Sequence, residues 1–163
     1  CVLDWQGRKR PLMSGRNWTE LFFLDEAVAM AAGHRPCGYC RRDDYARFVQ
    51  AWTAQAGTQP KAAQMDRVLH RARVKPRKRQ QLRIEQNLRH LPVGAMILRG
   101  DTAYLVGPTT MHPYMRDRYG AAIPRPRDET VTVLTPAPMI TVLEAGYRPA
   151  MHPSAGLSSS AGR

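Results

Sequence analysis

The stretch Thr19–Phe48, TELFFLDEAVAMAAGHRPCGYCRRDDYARF, constrains the fold more than any other, because it joins an apolar run, two helix signals and a Cys-x-x-Cys in one continuous pattern. At its centre stands Cys37-Gly38-Tyr39-Cys40. Two thiols three positions apart around a glycine can turn both sulfurs toward one ion, the spacing that tetrahedral zinc sites use. The chain has three cysteines, which cannot pair evenly, and a Cys-x-x-Cys in a reducing compartment favours metal over disulfide. Zinc is therefore the expected cofactor, with Cys37 and Cys40 as ligands, in a protein expected to be cytoplasmic.

The run from Leu24-Asp25-Glu26-Ala27 through Ala31-Ala32-Gly33-His34-Arg35-Pro36-Cys37-Gly38-Tyr39-Cys40-Arg41 resembles the second half of the zinc-binding domain of Ada, the bacterial methyl-damage response protein. That family shows an apolar strand, a short Ala-rich helix and then Ala-Gly-aromatic-Arg-Pro-Cys-x-x-Cys, and the likeness covers about residues 19–48. The resemblance implies a zinc held by four cysteines, two of them upstream of the strand, one of which accepts a methyl group from a DNA phosphotriester. The upstream cysteine here is Cys1, in Cys1-Val2-Leu3-Asp4-Trp5. It is a candidate third ligand or a small buried hydrophobe. The fourth ligand is expected from residues ahead of Cys1 or from His34, although His34 stands where the family has an aromatic, so packing or capping is its preferred role. With no initiating Met and an incomplete ligand set, the sequence is expected to begin inside a longer reading frame.

Charge is the second constraint. Twenty-five Lys and Arg face thirteen Asp and Glu, a formal net charge of +12, which favours an anionic partner, most simply nucleic acid and first of all DNA. Nine of those cations and one acid, Glu85, lie between Arg67 and Arg89. Within that window Arg71, Arg73, Lys75, Arg77, Lys78, Arg79 and Arg83 are the expected phosphate contacts. No apolar run is long enough to span a membrane, so no membrane partner is expected.

Taken in order, the chain suggests two short extended pieces around Gly7, a turn at Ser14–Asn17 and a strand at Trp18–Leu24. Asp25 then caps a helix over Glu26–Ala32 closed by Gly33. Asp43 is expected to cap a second helix whose Tyr45, Phe48, Val49 and Trp52 form one apolar stripe, read as core. A third helix is expected over Lys61–Ala72, followed by a basic loop at Pro76 and little order from Leu82 to Leu91. Ala95–Leu98 and Thr102–Val106 flank a Gly-containing hairpin turn, Thr130–Leu134 is a further strand, and Met139–Ala145 is a helix closed by Gly146. Ala145-Gly146-Tyr147-Arg148-Pro149 echoes Ala32-Gly33-His34-Arg35-Pro36 without the cysteines, an echo for which the coincidence of a shared glycine helix stop and following proline is the leading explanation and a decayed repeat the alternative.

The fold class expected is thus α+β: a zinc-stabilised subdomain over 1–56, a basic helical connector over 57–91, a small antiparallel β-rich unit with a final helix over 92–153, and a disordered tail over 154–163. His70, His90, His112 and His152 are scattered without ligand spacing, and no Ser-His-Asp set, phosphate loop or carboxylate pair appears. The expected function is zinc and nucleic-acid binding without catalysis. A methyl-accepting repair protein with Cys1 as acceptor, and a protein-interaction module that zinc only staples, are the alternatives.

Overall fold

A computed structural model describes residues 1, 2, 4, 5, 7–9, 20–78 and 80–157. The turn expected at Ser14–Asn17, the first two residues of the Trp18–Leu24 run, and Arg79 lie outside the described residues.

Helices and strands are both present, so the chain is α+β. Asp4–Trp5 (β1) and Arg8–Lys9 (β2) pair as a small antiparallel hairpin around Gly7, whose φ of +70° a glycine adopts freely. The described part of the apolar run, residues 20–24, is not a strand, contrary to expectation. Its last two side chains turn to the first helix and its exit, Phe23 5.3 Å from the His34 ring and Leu24 beside Ala27, while Leu21 and Phe22 are exposed. That helix, Glu26–Ala31 (α1), begins as expected, with Asp25 accepting the Val28 N–H at 2.9 Å.

The second helix, Arg42–Ala56 (α2), starts one residue ahead of the expected cap. Arg41 occupies the N-cap without a side-chain bond, and Asp43 and Asp44 fall in the first turn, where their charge suits the helix dipole. Asp44 is engaged by Arg41 and Arg47 rather than by backbone N–H groups. The third helix spans Ala62–Arg73 (α3).

Six antiparallel strands form the main sheet: Ile84–Asn87 (β3), Met96–Arg99 (β4), Thr102–Val106 (β5), Thr110–Pro113 (β6), Ile123–Pro124 (β7) and Thr130–Val133 (β8), in the order β3-β8-β4-β5-β6-β7. Leu82–Leu91 is ordered, which overturns the expectation of little structure: β3 pairs along its whole length with β8, from Ile84 opposite Val133 to Asn87 opposite Thr130. Its polar Glu85-Gln86-Asn87 carries no alternating apolar signal because β3 is an edge strand, where polar side chains are tolerated and discourage wrong pairing.

The sheet buries both faces. Successive side chains of a strand point to opposite sides, and in β4 and β5 this sends Ile97 and Val106 into a large core, Met96 and Leu105 into a smaller one with Ala27, Tyr119 and Ala155. The large core draws Met30 and Phe48 from the first segment, Met65, Leu69 and Leu88 from the second, and Val133 and Met139 from the third. Ala137–Glu144 (α4) sits on it, with Pro138 in its first turn, where a missing N–H costs nothing. The expected disordered tail is ordered over its described part: Pro153–Ala155 makes a 3-10 turn, Ala155 is buried, and Ser154 Oγ accepts the Tyr119 N–H at 2.8 Å. Among the described residues no helix is long and apolar enough to cross a membrane.

Candidate functional site

The end of α1 aims the chain at the thiols. Gly33, at φ +80°, donates to Met30 O at 2.9 Å, and His34 donates to Ala29 O at 2.9 Å, the paired bonds of a left-handed helix stop. A side chain here would fail twice: the φ is strained for any L residue, and a Cβ would lie 2.6 Å from Arg73 Cδ. The same pair of bonds closes α4, from Gly146 to Leu143 O and from Tyr147 to Val142 O. The sequence echo is thus a shared way of ending a helix.

Beyond Gly33 the chain passes the buried Pro36 and folds back over Cys37–Cys40, where Arg41 N donates to Cys37 O at 3.0 Å. Burial pushes the Cys37 thiol up. The backbone N–H groups of Cys40 and Tyr39 and the Cys40 thiol all point at its sulfur, and together they bring it below the ordinary thiol value. Cys37 and Cys40 are brought together as expected, both free and half-buried. Cys1 is exposed and donates through its nitrogen to Leu21 O at 2.9 Å. It reaches the same cavity of ≈ 240 Å³ that Cys37, His34, Phe23, Glu26 and Arg41 line. Among the described residues no three His, Cys, Asp or Glu side chains are gathered tightly enough to hold one ion. The donor chemistry of the Cys37–Cys40 pair fits zinc, of whose usual four ligands this pair would supply two.

Two acids at the start of α1, which the sequence presented only as capping residues, anchor this region. Glu26 is buried, with Oε1 2.7 Å from Arg41 Nη2, and Oε2 accepting from Tyr147 OH at 2.9 Å and Ala150 N at 2.7 Å. Burial pushes its carboxyl above the usual range, against the pull of the Ala150 N–H and Arg41. Asp25 Oδ2 accepts from Tyr119 OH at 2.9 Å and His152 N at 3.1 Å. Both tyrosine hydroxyls are held well above their ordinary pKa, by burial first and by the neighbouring carboxylates second. Apart from Arg41, these partners lie more than ninety positions away, so no local pattern signals them.

The basic elements abut this site. Asp66 of α3 forms a two-bond pair with Arg35, at 2.8 and 3.0 Å, and Arg35 also lies over the Tyr45 ring at 5.2 Å. Arg73, expected among the phosphate contacts, is turned inward and half-buried against Gly33, which withdraws it from the outer face. After α3 the chain forms a hairpin: Val74 bridges Gln81, Lys75 N donates to Gln80 O at 2.8 Å, and Lys78 N donates to Lys75 O at 3.3 Å. Its root is fixed by Leu82 N to Arg73 O at 2.6 Å and by Gln81 Nε2 to Leu134 O at 3.2 Å. Arg71, Lys75, Arg77, Lys78 and Arg83 are exposed as expected, and Arg67 joins them from the outer face of α3. Among the described residues none of these six lies within ion-pair distance of a carboxylate.

Compared with protein-family models, with characterised proteins and with solved structures, the chain matches none. The Ada-type resemblance therefore stands on residues 19–48 alone.

Proposed function

We propose that this chain binds nucleic acid through Arg67 and Arg71 of α3, the cations of the hairpin after it and Arg83 just ahead of β3, beside a zinc held by Cys37 and Cys40. The observation that carries the reading is this run of exposed cations from α3 to the approach of β3, none paired with a carboxylate among the described residues. Unpaired surface charge of one sign raises the local field for ions of the other, and the phosphodiester backbone of a nucleic acid presents many such charges at once. Zinc bound by the two thiolates would fasten the Cys37–Cys40 turn against α1 and supply folding energy there.

Each half has its own experiment. Protein purified without added metal should carry about one zinc per chain by elemental analysis, and Cys37→Ser or Cys40→Ser should lose it, since a structural site needs each thiolate. Parent protein that is folded and free of zinc would overturn this half. For the other half, Lys75, Arg77 and Lys78 are changed together to Gln. Each phosphate contact releases condensed counterions, so three lost contacts should flatten the slope of log affinity against log salt by about 2.7 and weaken binding by two to three orders of magnitude at 0.1 M salt. The loss should be alike on unrelated sequences, because phosphates carry position and not sequence. An unchanged slope, or a parent that binds no nucleic acid at low salt, would remove the nucleic-acid reading.

A further inference from the structure

Lys75-Pro76-Arg77-Lys78 forms the tip of the hairpin. Pro76 at its second position supplies a preset φ, and the third position, Arg77, stands at φ +63°. That is the left-handed region, which such turns normally give to Gly or Asn because a Cβ is strained there. The sequence thus keeps an arginine where a glycine would fold more easily. Strain of this sort persists where the surroundings hold it and the side chain is needed. The first condition is met by the root, bonded to Arg73 O and Leu134 O, and the Arg77 side chain is exposed without a carboxylate partner among the described residues, open to an anion from outside.

We infer that the hairpin tip is a prearranged arm that holds Arg77 against the phosphates of double-stranded nucleic acid, with Arg67 and Arg71 of α3 along the same backbone; this rests on the nucleic-acid reading above. A duplex suits the arrangement better than a single strand. Twelve residues of helix extend about 18 Å, and over that length a duplex offers about ten phosphates at one per ≈ 1.7 Å. Fixed cations meet that density without waiting for a flexible strand to order. The exposed apolar side chains on these elements, Val68 and Ile84, are aliphatic, and the one exposed ring of α3 is His70, short of the row of aromatics on which successive unpaired bases stack.

Arg116 provides the control. It also has a positive φ, +67°, and is exposed, but it follows β6, next to the edge strand β7 on the side of the sheet away from β3. The experiment compares the parent, Arg77→Gly, Arg77→Lys and Arg116→Gly by fluorescence anisotropy on a labelled 20-base-pair duplex and on each of its single strands, with thermal melting of every protein. Arg77→Gly should bind the duplex about eight-fold more weakly at 0.1 M salt with a slope flatter by about 0.9, while its melting temperature stays level or rises. Arg77→Lys should keep the parent's slope, and Arg116→Gly should bind like the parent. The duplex should be bound more tightly than either strand. Equal weakening by Arg116→Gly, an unchanged slope in Arg77→Gly, or tighter binding of a single strand would overturn the inference and leave the broader reading standing. A parent that binds neither form would end both.

Discussion

Replacing Arg41 by Met is expected to destabilise the fold by about 3–5 kcal/mol, because it strands the Glu26 carboxylate in a buried position without its cation. Glu26 is 4 % exposed and Arg41 Nη2 stands 2.7 Å from it. For a chain of 163 residues that loss should lower the melting temperature by roughly 6–20 °C. Its dependence on pH separates charge from packing. Burial already raises the Glu26 pKa above 4.5, so the folded chain holds this proton more tightly than the unfolded one. Stability from Glu26 is then greatest below 4.5 and declines as pH rises through the folded value. Removing Arg41 lifts the folded value further and widens that window. The gap between parent and variant should thus grow from pH 5 to pH 7 in chemical denaturation, and adding Glu26→Gln should recover most of it. A gap that does not move with pH would show that Arg41 contributes packing alone.

Phe48→Ala is expected to cost about 3–5 kcal/mol, the range for emptying a buried aromatic site. Phe48 is fully buried, edge-on to Tyr147 at 5.4 Å and tilted against Trp52 at 5.9 Å, so it is where α2 seats on the segment that follows α4. Because Tyr147 also donates to Glu26, this loss and that of Arg41→Met should not add. Equilibrium unfolding of the two single variants and the double measures the coupling. A cost under about 1 kcal/mol for Phe48→Ala would mean that α2 does not depend on this contact.

What the sequence made legible follows distance along the chain. The helix stops at Gly33 and Gly146, the apolar stripe of α2 and the β4–β5 hairpin are set by neighbours within a few positions, and each formed as read. The thiol pair is likewise local, its two cysteines three positions apart. Three of the readings that failed did so for the opposite reason. The 20–24 run looked like a strand because apolar side chains mark burial as well as pairing, and here Leu24 packs against α1 while Leu21 and Phe22 stay exposed. The polar edge strand β3 left no periodic trace, since it borrows its pattern from β8. Arg73 counted as surface charge until the close approach of Gly33 showed which way it turns. The carboxylate anchors at Asp25 and Glu26 were illegible because their tyrosines and N–H donors come from 119 and 147–152.

The bonds from Tyr147, Ala150 and His152 to α1 close loops of 121, 124 and 127 positions. On the ribosome, elongating at 5–20 residues per second, Glu26 would emerge about 6–24 s before Tyr147 exists to meet it. Throughout that interval the cysteine-bearing turn has its local bonds and the Arg35–Asp66 pair but not these anchors, and β8 and α4 must arrive before the first helix can shed its water. The turn that carries the thiols is therefore completed only by the 147–152 segment, and until then Cys37 and Cys40 stay in reach of whatever metal or oxidant the nascent chain encounters.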